Sequence, residues 1–313
     1  MKEKVVVAMS GGVDSSVAAA LLKERGYEPI GVTMRLWNVP EEDKKSGCCS
    51  LDDVNDARRV ADKLGIPHYT MNLKKEFKEF VVDYFVNEYA RGRTPNPCIA
   101  CNRVLKFESL LRRARQLGAS KLATGHYARI GQVGDKKNVI MRGVDLNKDQ
   151  SYFLFDVPQK NLDRLLFPLG ELTKEETRAI AATYSLKTAE KAESQEICFV
   201  PGDDYPEFIR SYAGNVEPGE IKNGSGKVVG KHKGIPFYTV GQRRGLGIGH
   251  SHRLYVTGIE PETNTVVVGS EDELYADAMT VGGLTIHLPL KDGQEIDVQV
   301  RYRHKPVKAV FRP

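Results

Sequence analysis

From Val5 to about Leu122, short apolar runs alternate with stretches whose apolar positions recur at helical spacing. Val5-Val6-Val7-Ala8-Met9 is unbroken apolar, as in a parallel strand covered on both faces. Asp14 to about Arg25 follows as a helix with Val17, Ala20, Leu21 and Leu22 on one face. Ile30 to Leu36 reads as a second strand. Ser50 is expected to cap the next helix with Asp53 as its capping-box partner, and Val54, Ala57, Ala61 and Leu64 keep the period. His68 to Met71 predicts a strand and Lys75 to Tyr89 a long helix. After a Pro-rich loop come a helix from about Val104 to Leu117 and a strand at Lys121 to Thr124. Repeated strand–helix units predict an α/β fold, a doubly wound parallel sheet with ligands at the carboxyl ends of its strands.

The pattern then changes twice. From about Asn147 it predicts short helices, notably Lys174 to Tyr184 and Tyr205 to Tyr212. From about Pro218, Gly, Val and Thr become dense and turns such as Asn223-Gly224 separate short alternating runs, which predicts small β-barrel-like modules. Three parts are therefore expected: a phosphate-loop domain over 1–146, a mainly helical central segment over 147–216, and β-rich modules over 217–313. The chain stops directly after the strand-like run Val298 to Tyr302, so its last barrel reads as truncated.

A length of 313 residues suggests about two domains. With 41% hydrophobic and 28% charged residues, the composition is that of an ordinary globular protein. No apolar run approaches the roughly 20 residues of a membrane helix, and no presequence precedes the first strand; a cytoplasmic protein with no membrane partner is expected. The net charge of +5 permits a polyanionic partner without demanding one. Five cysteines are too few for a disulfide scaffold, and in a reducing compartment grouped cysteines suggest catalysis or metal binding.

The first strand runs into Ser10-Gly11-Gly12-Val13-Asp14-Ser15-Ser16, which opens the first helix. Glycines let the backbone approach a ligand, and a helix N-terminus presents free N–H donors and roughly half a positive charge, which suits phosphate. No Gly-Lys-Ser/Thr follows, so this is not the loop of kinases and GTPases. The string resembles the loop of the ATP pyrophosphatases, which cleave ATP between the α- and β-phosphates and adenylate an oxygen of their substrate. Asp14, acidic beside a phosphate site, is expected to act through Mg²⁺ as well as in the helix cap.

Thr94-Pro95-Asn96-Pro97-Cys98-Ile99-Ala100-Cys101-Asn102 reads as a rigid loop carrying a C-x-x-C, with Arg91, Arg93 and Arg103 near enough to favour thiolate. A third cysteine, Cys198, lies far along the chain. Two cysteines and a distant third suit either a persulfide relay or an iron–sulfur cluster with one open iron site. Cys48 and Cys49 are expected to be buried or loop thiols, which leaves a four-cysteine zinc site disfavoured.

Taken together, the chain resembles the tRNA-specific 2-thiouridylases over nearly its whole length. The matching stretches are Ala8 to Ser16, Gly47 to Ser50, Gly92 to Phe107, Ala123 to Arg129, Lys148 to Leu154, Ser194 to Phe199 and Tyr238 to Leu246. The resemblance implies 2-thiouridine formation at the wobble position of tRNAs for Lys, Glu and Gln, with a cysteine desulfurase or sulfur-relay protein as donor. It implies that Cys101 is the nucleophile and Cys198 the persulfide-bearing cysteine, joined in a transient disulfide. ATP would be held by Ala8, Met9, Ser10, Gly11, Gly12, Val13, Asp14 and Ser15, with Ser16, Met34 and Gly125 beside them. Asn96, Pro97 and Cys98 would approach the target base, while His126, Lys148, Asp149, Gln150, Arg301 and Tyr302 would contact tRNA. The C-x-x-C form resembles the subset for which a [4Fe-4S] cluster on Cys98, Cys101 and Cys198 has been put forward.

The chemistry explains the parts. A uridine 2-carbonyl is a poor electrophile with a poor leaving group; adenylating its oxygen answers both, and the base must first leave the anticodon stack. Arg112, Arg113, Arg115, Lys231, Lys233, Arg243, Arg244 and Arg253 are candidates for the tRNA path. Two alternatives stand beside this reading: a small-molecule adenylating ligase, which has no need of three cysteines, and a non-enzymatic RNA-binding or cluster-carrier protein with a relic loop.

Overall fold

The computed structural model describes residues 2–37, 51–134, 137–191, 197–214, 216–249 and 253–313. Five parallel strands form the first sheet: β1 (Lys4–Ala8), β2 (Glu28–Arg35), β3 (His68–Asn72), β4 (Lys121–Ala123) and β7 (Leu165–Leu166), in the order β3-β2-β1-β4-β7. Side chains alternate across a strand, and β1 feeds two cores. Val6 and Ala8 face one, while Val5, Val7 and Met9 face the other.

The second face is covered by α1 (Val13–Glu24), α2 (Leu51–Leu64) and, after the one-turn α5 (Gln159–Leu162), α6 (Lys174–Thr183). The first is covered by two long helical runs, α3 over 74–90 and α4 over 97–116. The expected start of α2 at Ser50 lies outside the described residues, as do Cys48 and Cys49.

Two features depart from the sequence reading. The C-x-x-C does not sit in a loop ahead of a helix beginning near Val104. It forms the first turn of α4, because Asn96 caps the helix by accepting a hydrogen bond from the Cys98 N–H at 3.1 Å and Pro97 occupies the first helical position. The sheet also does not end at residue 146. β7, from the stretch expected as a separate helical segment, pairs with β4 at Leu122–Leu165 and Ala123–Leu166, and two residues are too few to carry a period. An unpredicted hairpin, β5 (Ala128–Val133) with β6 (Lys137–Arg142), lies just before it.

After α7 (Tyr205–Ala213) the fold is β-rich, as expected. β8 (Gly219–Asn223), β9 (Val228–His232), β10 (Tyr255–Glu260) and β11 (Thr265–Gly269) form one sheet in the order β10-β11-β8-β9, with its own core of Ile221, Ile235, Tyr238, Leu246, Val256, Val266 and Val268. A last pair, β12 (Glu295–Val298) and β13 (Val307–Val310), is antiparallel. No helix among the described residues is long and apolar enough to cross a membrane.

Candidate active site

The carboxyl ends of β1, β4 and β7 converge, and the candidate site is built from the loops that leave them. After β1 the chain turns through Ser10, Gly11 and Gly12 into α1. Gly11 has φ of +76°, and a Cβ there would meet the backbone of Asp53, so only glycine fits. No side chain caps α1 at Gly12, which leaves the first-turn N–H groups to other acceptors. Ser10 is exposed, but the two serines of the first helical turn look inward. Ser15 and Ser16 are buried, the Ser16 hydroxyl donates to the Gly12 carbonyl at 2.7 Å, and the Ser15 oxygen accepts from the Ser10 N–H at 3.1 Å. They shape the loop, and its backbone is what faces outward.

Asp14, in the first turn of α1, is held from two sides. Lys174, at the start of α6, places its Nζ 2.7 and 2.9 Å from the two carboxylate oxygens, and the Tyr127 hydroxyl donates to Oδ1 at 2.9 Å. The Lys174 side chain is only 10% exposed. Sequence reasoning missed it, since nothing local to a capped helix start signals a partner in the phosphate loop. Lys191, just past the short turn Lys187–Glu190, was missed as well: its ammonium donates to the Gly11 carbonyl at 3.1 Å and to Asp53 and Asp56 at 2.8 and 2.7 Å. Burial lowers the Lys191 pKa, but the two carboxylates outweigh it and the net shift is upward.

The loop after β4 abuts the phosphate loop. A Cβ on Gly125 would lie 2.7 Å from the Asp14 carbonyl carbon and from the Ser15 nitrogen, so glycine allows the two backbones to touch. The next residue, His126, has its Nδ1 2.6 Å from the Thr124 hydroxyl and its Nε2 3.5 Å from the Lys106 ammonium. Its ring lies against Phe107 and Phe167, and burial, then the charge of Lys106, hold its pKa well below 6.5. Met34 and Met9 are buried at the ends of β2 and β1, and Val13 is buried in α1.

The cysteines lie on the other side of the sheet. Cys98 is exposed in the first turn of α4, whereas Cys101 and Cys198 are part-buried and pack on the same apolar core. Phe199 anchors Cys198 there, with ring centroids 5.5 Å from Phe77, 5.3 Å from Phe85 and 5.3 Å from Phe208. The flanking arginines are engaged elsewhere: Arg93 with Glu88 at 2.6 Å, Arg91 with the same carboxylate at 3.7 Å, and Arg103 with Asp156 at 2.8 Å. Cys98 lies in the first turn of α4, where a helix N-terminus favours a thiolate. Among the described residues no three Cys, His, Asp or Glu side chains gather as a metal-binding group, so an iron–sulfur cluster on Cys98, Cys101 and Cys198 is not supported. Residues 192–196, just before Cys198, lie outside the described residues.

The residues expected on a tRNA path fall into two sets. Asp149 accepts from the Gly143 and Ser151 N–H groups, and Gln150 Oε1 accepts from the Tyr127 N–H at 3.0 Å, so both side chains brace the site loops. Lys148 and Asn96 are half-buried nearby, and Pro97 is buried. Tyr302 lies 4.5 Å from the Phe153 ring and Arg301 donates to the Val240 carbonyl at 2.7 Å, which joins three separate stretches of the chain. Thr94 reaches Thr239 at 3.1 Å and ties the cysteine helix to the β-rich sheet. On that sheet Arg243 and Arg253 flank an open groove of about 570 Å³ floored by Gly245 to Gly249. Arg113 is paired with Glu76, while Arg112, Arg115, Lys231, Lys233 and Arg244 are exposed or half-buried on the surface.

Residues 3–202 match the family model described as "tRNA methyl transferase HUP domain" and 206–270 the one described as "tRNA methyl transferase PRC-barrel domain". The chain is 51% identical over 318 residues to the tRNA-specific 2-thiouridylase of Pelotomaculum thermopropionicum, covering 100% of this chain and 87% of that one. It belongs to the tRNA-specific 2-thiouridylase family. The family member of Geobacter metallireducens is 53% identical over 98% of this chain and 85% of its own, and that of Carboxydothermus hydrogenoformans 50% over 99% and 87%. Among solved structures, a 4-thiouridine synthetase–RNA complex with bound ATP is similar at a TM-score of 0.37 and 21% identity, over 67% of this chain and 50% of that one, too slight a likeness to carry an argument. Family membership identifies the parallel-sheet domain as an ATP-binding one and the family as sulfurtransferases acting on tRNA.

Proposed function

We propose that this chain adenylates the C2 oxygen of the wobble uridine of tRNA with ATP and replaces it with sulfur carried on Cys198, giving 2-thiouridine, AMP and pyrophosphate. The observation that carries the reading is family identity near 50% over the whole chain, with the uncapped glycine loop and both part-buried cysteines in place. The family models' wording speaks of methyl transfer, but a loop suited to a triphosphate and two cysteines on one core favour the thiolation named for the relatives.

In this reading the α1 N-terminus and the backbone of Ser10 to Ser15 seat the phosphates, with Gly125 lining the same loop. Asp14 suits Mg²⁺, because one carboxylate together with substrate phosphates is the usual ligand set. Bound there, the ion neutralises phosphate charge. A persulfide on Cys198 attacks C2 through its terminal sulfur, and AMP leaves with the former base oxygen. The Cys101 thiolate then attacks the inner sulfur, which expels the 2-thiouridine and closes a Cys101–Cys198 disulfide. Two electrons and two protons from a thiol reductant reopen it. A cysteine desulfurase or relay protein reloads Cys198, and tRNAs for Lys, Glu and Gln are the proposed substrates. Arg243, Arg253 and the pair Arg301 and Tyr302 are proposed tRNA contacts, and the cytoplasm, where tRNA is modified, is the proposed location.

The test is ATP-dependent thiolation of an unmodified tRNA-Glu transcript, read as retardation on a mercury-containing gel. Wild type retards the band and Cys198→Ala does not. Retardation that persists in Cys198→Ala removes that cysteine from the sulfur path, and none in wild type with either sulfide or a desulfurase as donor refutes the reading.

A further inference from the structure

Lys106 lies on α4, further along the helix from Cys101, and is half-buried. Among the described residues no carboxylate lies within ion-pair distance of its ammonium. Its polar contact is Nε2 of His126 at 3.5 Å. A half-buried ammonium facing a neutral ring is under-compensated, and such a position attracts an anion.

The histidine is arranged to leave it so. An ammonium only donates, so Nε2 carries the lone pair and the ring proton sits on Nδ1, donated to the Thr124 oxygen 2.6 Å away. Phe107 and Phe167 close two sides of the ring, and burial together with Lys106 itself disfavours the imidazolium. His126 thus orients the ammonium without neutralising it.

The location says which anion. His126 follows Gly125, whose backbone touches that of Asp14 and Ser15 in the phosphate loop. Lys106 therefore extends from the helix that bears Cys101 toward His126, the residue directly after the glycine that touches the phosphate loop. In the proposed reaction the group that bridges the same two places is the phosphoryl joining adenosine to the base oxygen. We propose that Lys106 binds the α-phosphate of the nucleotide and holds its charge as AMP departs. This inference rests on the adenylation reading above. An RNA phosphate presents the same chemistry, but the contact of Gly125 with the phosphate loop favours the nucleotide.

Calorimetric binding of AMP, ATP and adenosine to wild type, Lys106→Met and Lys106→Arg, without tRNA, tests it, with filter binding of tRNA as a parallel arm. In Lys106→Met, affinity for AMP and ATP falls by the same factor, about tenfold to a hundredfold as for a lost charge-assisted hydrogen bond, while adenosine binding holds. Lys106→Arg recovers most of the loss. The ratio of AMP to adenosine affinity within one variant does not depend on how much of it is folded. An unchanged ratio in Lys106→Met overturns the inference, and so does a loss confined to tRNA. Absence of nucleotide binding in wild type overturns the adenylation reading itself.

Discussion

Lys174→Met is the most informative perturbation of the phosphate loop, because it removes a charge and keeps the apolar stem. The Lys174 side chain is 10% exposed and the Asp14 side chain 32%, so the pair is neither a surface bridge nor fully buried. An exposed pair contributes about 0–1 kcal/mol, whereas breaking a buried one costs about 3–5 kcal/mol. The position between these limits puts the loss near 2 kcal/mol. Asp14→Asn in the same background should return about half of it, since the stranded charge is then gone. Urea unfolding followed by the fluorescence of Trp37, the sole tryptophan, reads the transition of the core that it packs against. Nucleotide binding provides a second measure. A carboxylate left uncompensated at roughly 6 Å from a phosphate charge, with an effective dielectric of about 20, repels it by about 3 kcal/mol, or about a hundredfold in ATP affinity. Measured without Mg²⁺, that loss should largely vanish in the double variant. A coupling energy below about 0.5 kcal/mol between the two positions, with ATP binding unchanged in Lys174→Met, would refute the reasoning.

Three further outcomes follow from the same geometry. Gly125→Ala forces a methyl against the Asp14–Ser15 backbone; it should abolish ATP binding in calorimetry while costing only about 1–3 kcal/mol of stability. Phe199→Ala should destabilise by about 3–5 kcal/mol in urea and, because the ring anchors Cys198, lower single-turnover thiolation even where the protein is fully folded. His126, His68 and His232 all have pKa values lowered chiefly by burial, so the unfolded chain takes up protons first as pH falls. Stability is then full above about pH 6.5 and declines below it, by at most about 1.4 kcal/mol per pH unit for each histidine, and His126→Asn should flatten the slope of unfolding free energy against pH.

Much of the fold could be read from the chain, because its signals are local. An unbroken apolar run marks a strand covered on both faces and located β1, while a two-residue or a 3.6-residue period reflects which face of one element is buried and located α1, α3 and the β-rich part without reference to the rest. The loop from Ser10 to Ser16 and the cysteines at 98, 101 and 198 were legible as motifs, and the family they suggest is the one to which the chain belongs. β7 escaped because two residues carry no period. The start of α4 escaped because Pro97 and Asn96 read equally well as loop residues until the Asn96 oxygen is seen on the Cys98 N–H.

What only the tertiary structure decided is how charges are paired across the chain. Lys174 meets Asp14 from 160 residues away and Lys191 meets Gly11 from 180, while Lys106 and His126 are joined only because α4 packs beside β4. The arginines beside the cysteines looked available in one dimension and are bound to Glu88 and Asp156 in three. A sequence records which side chains carry charge. Which of those charges are neutralised, and which are left to meet a substrate, depends on distances set by the packing of elements far apart in the chain.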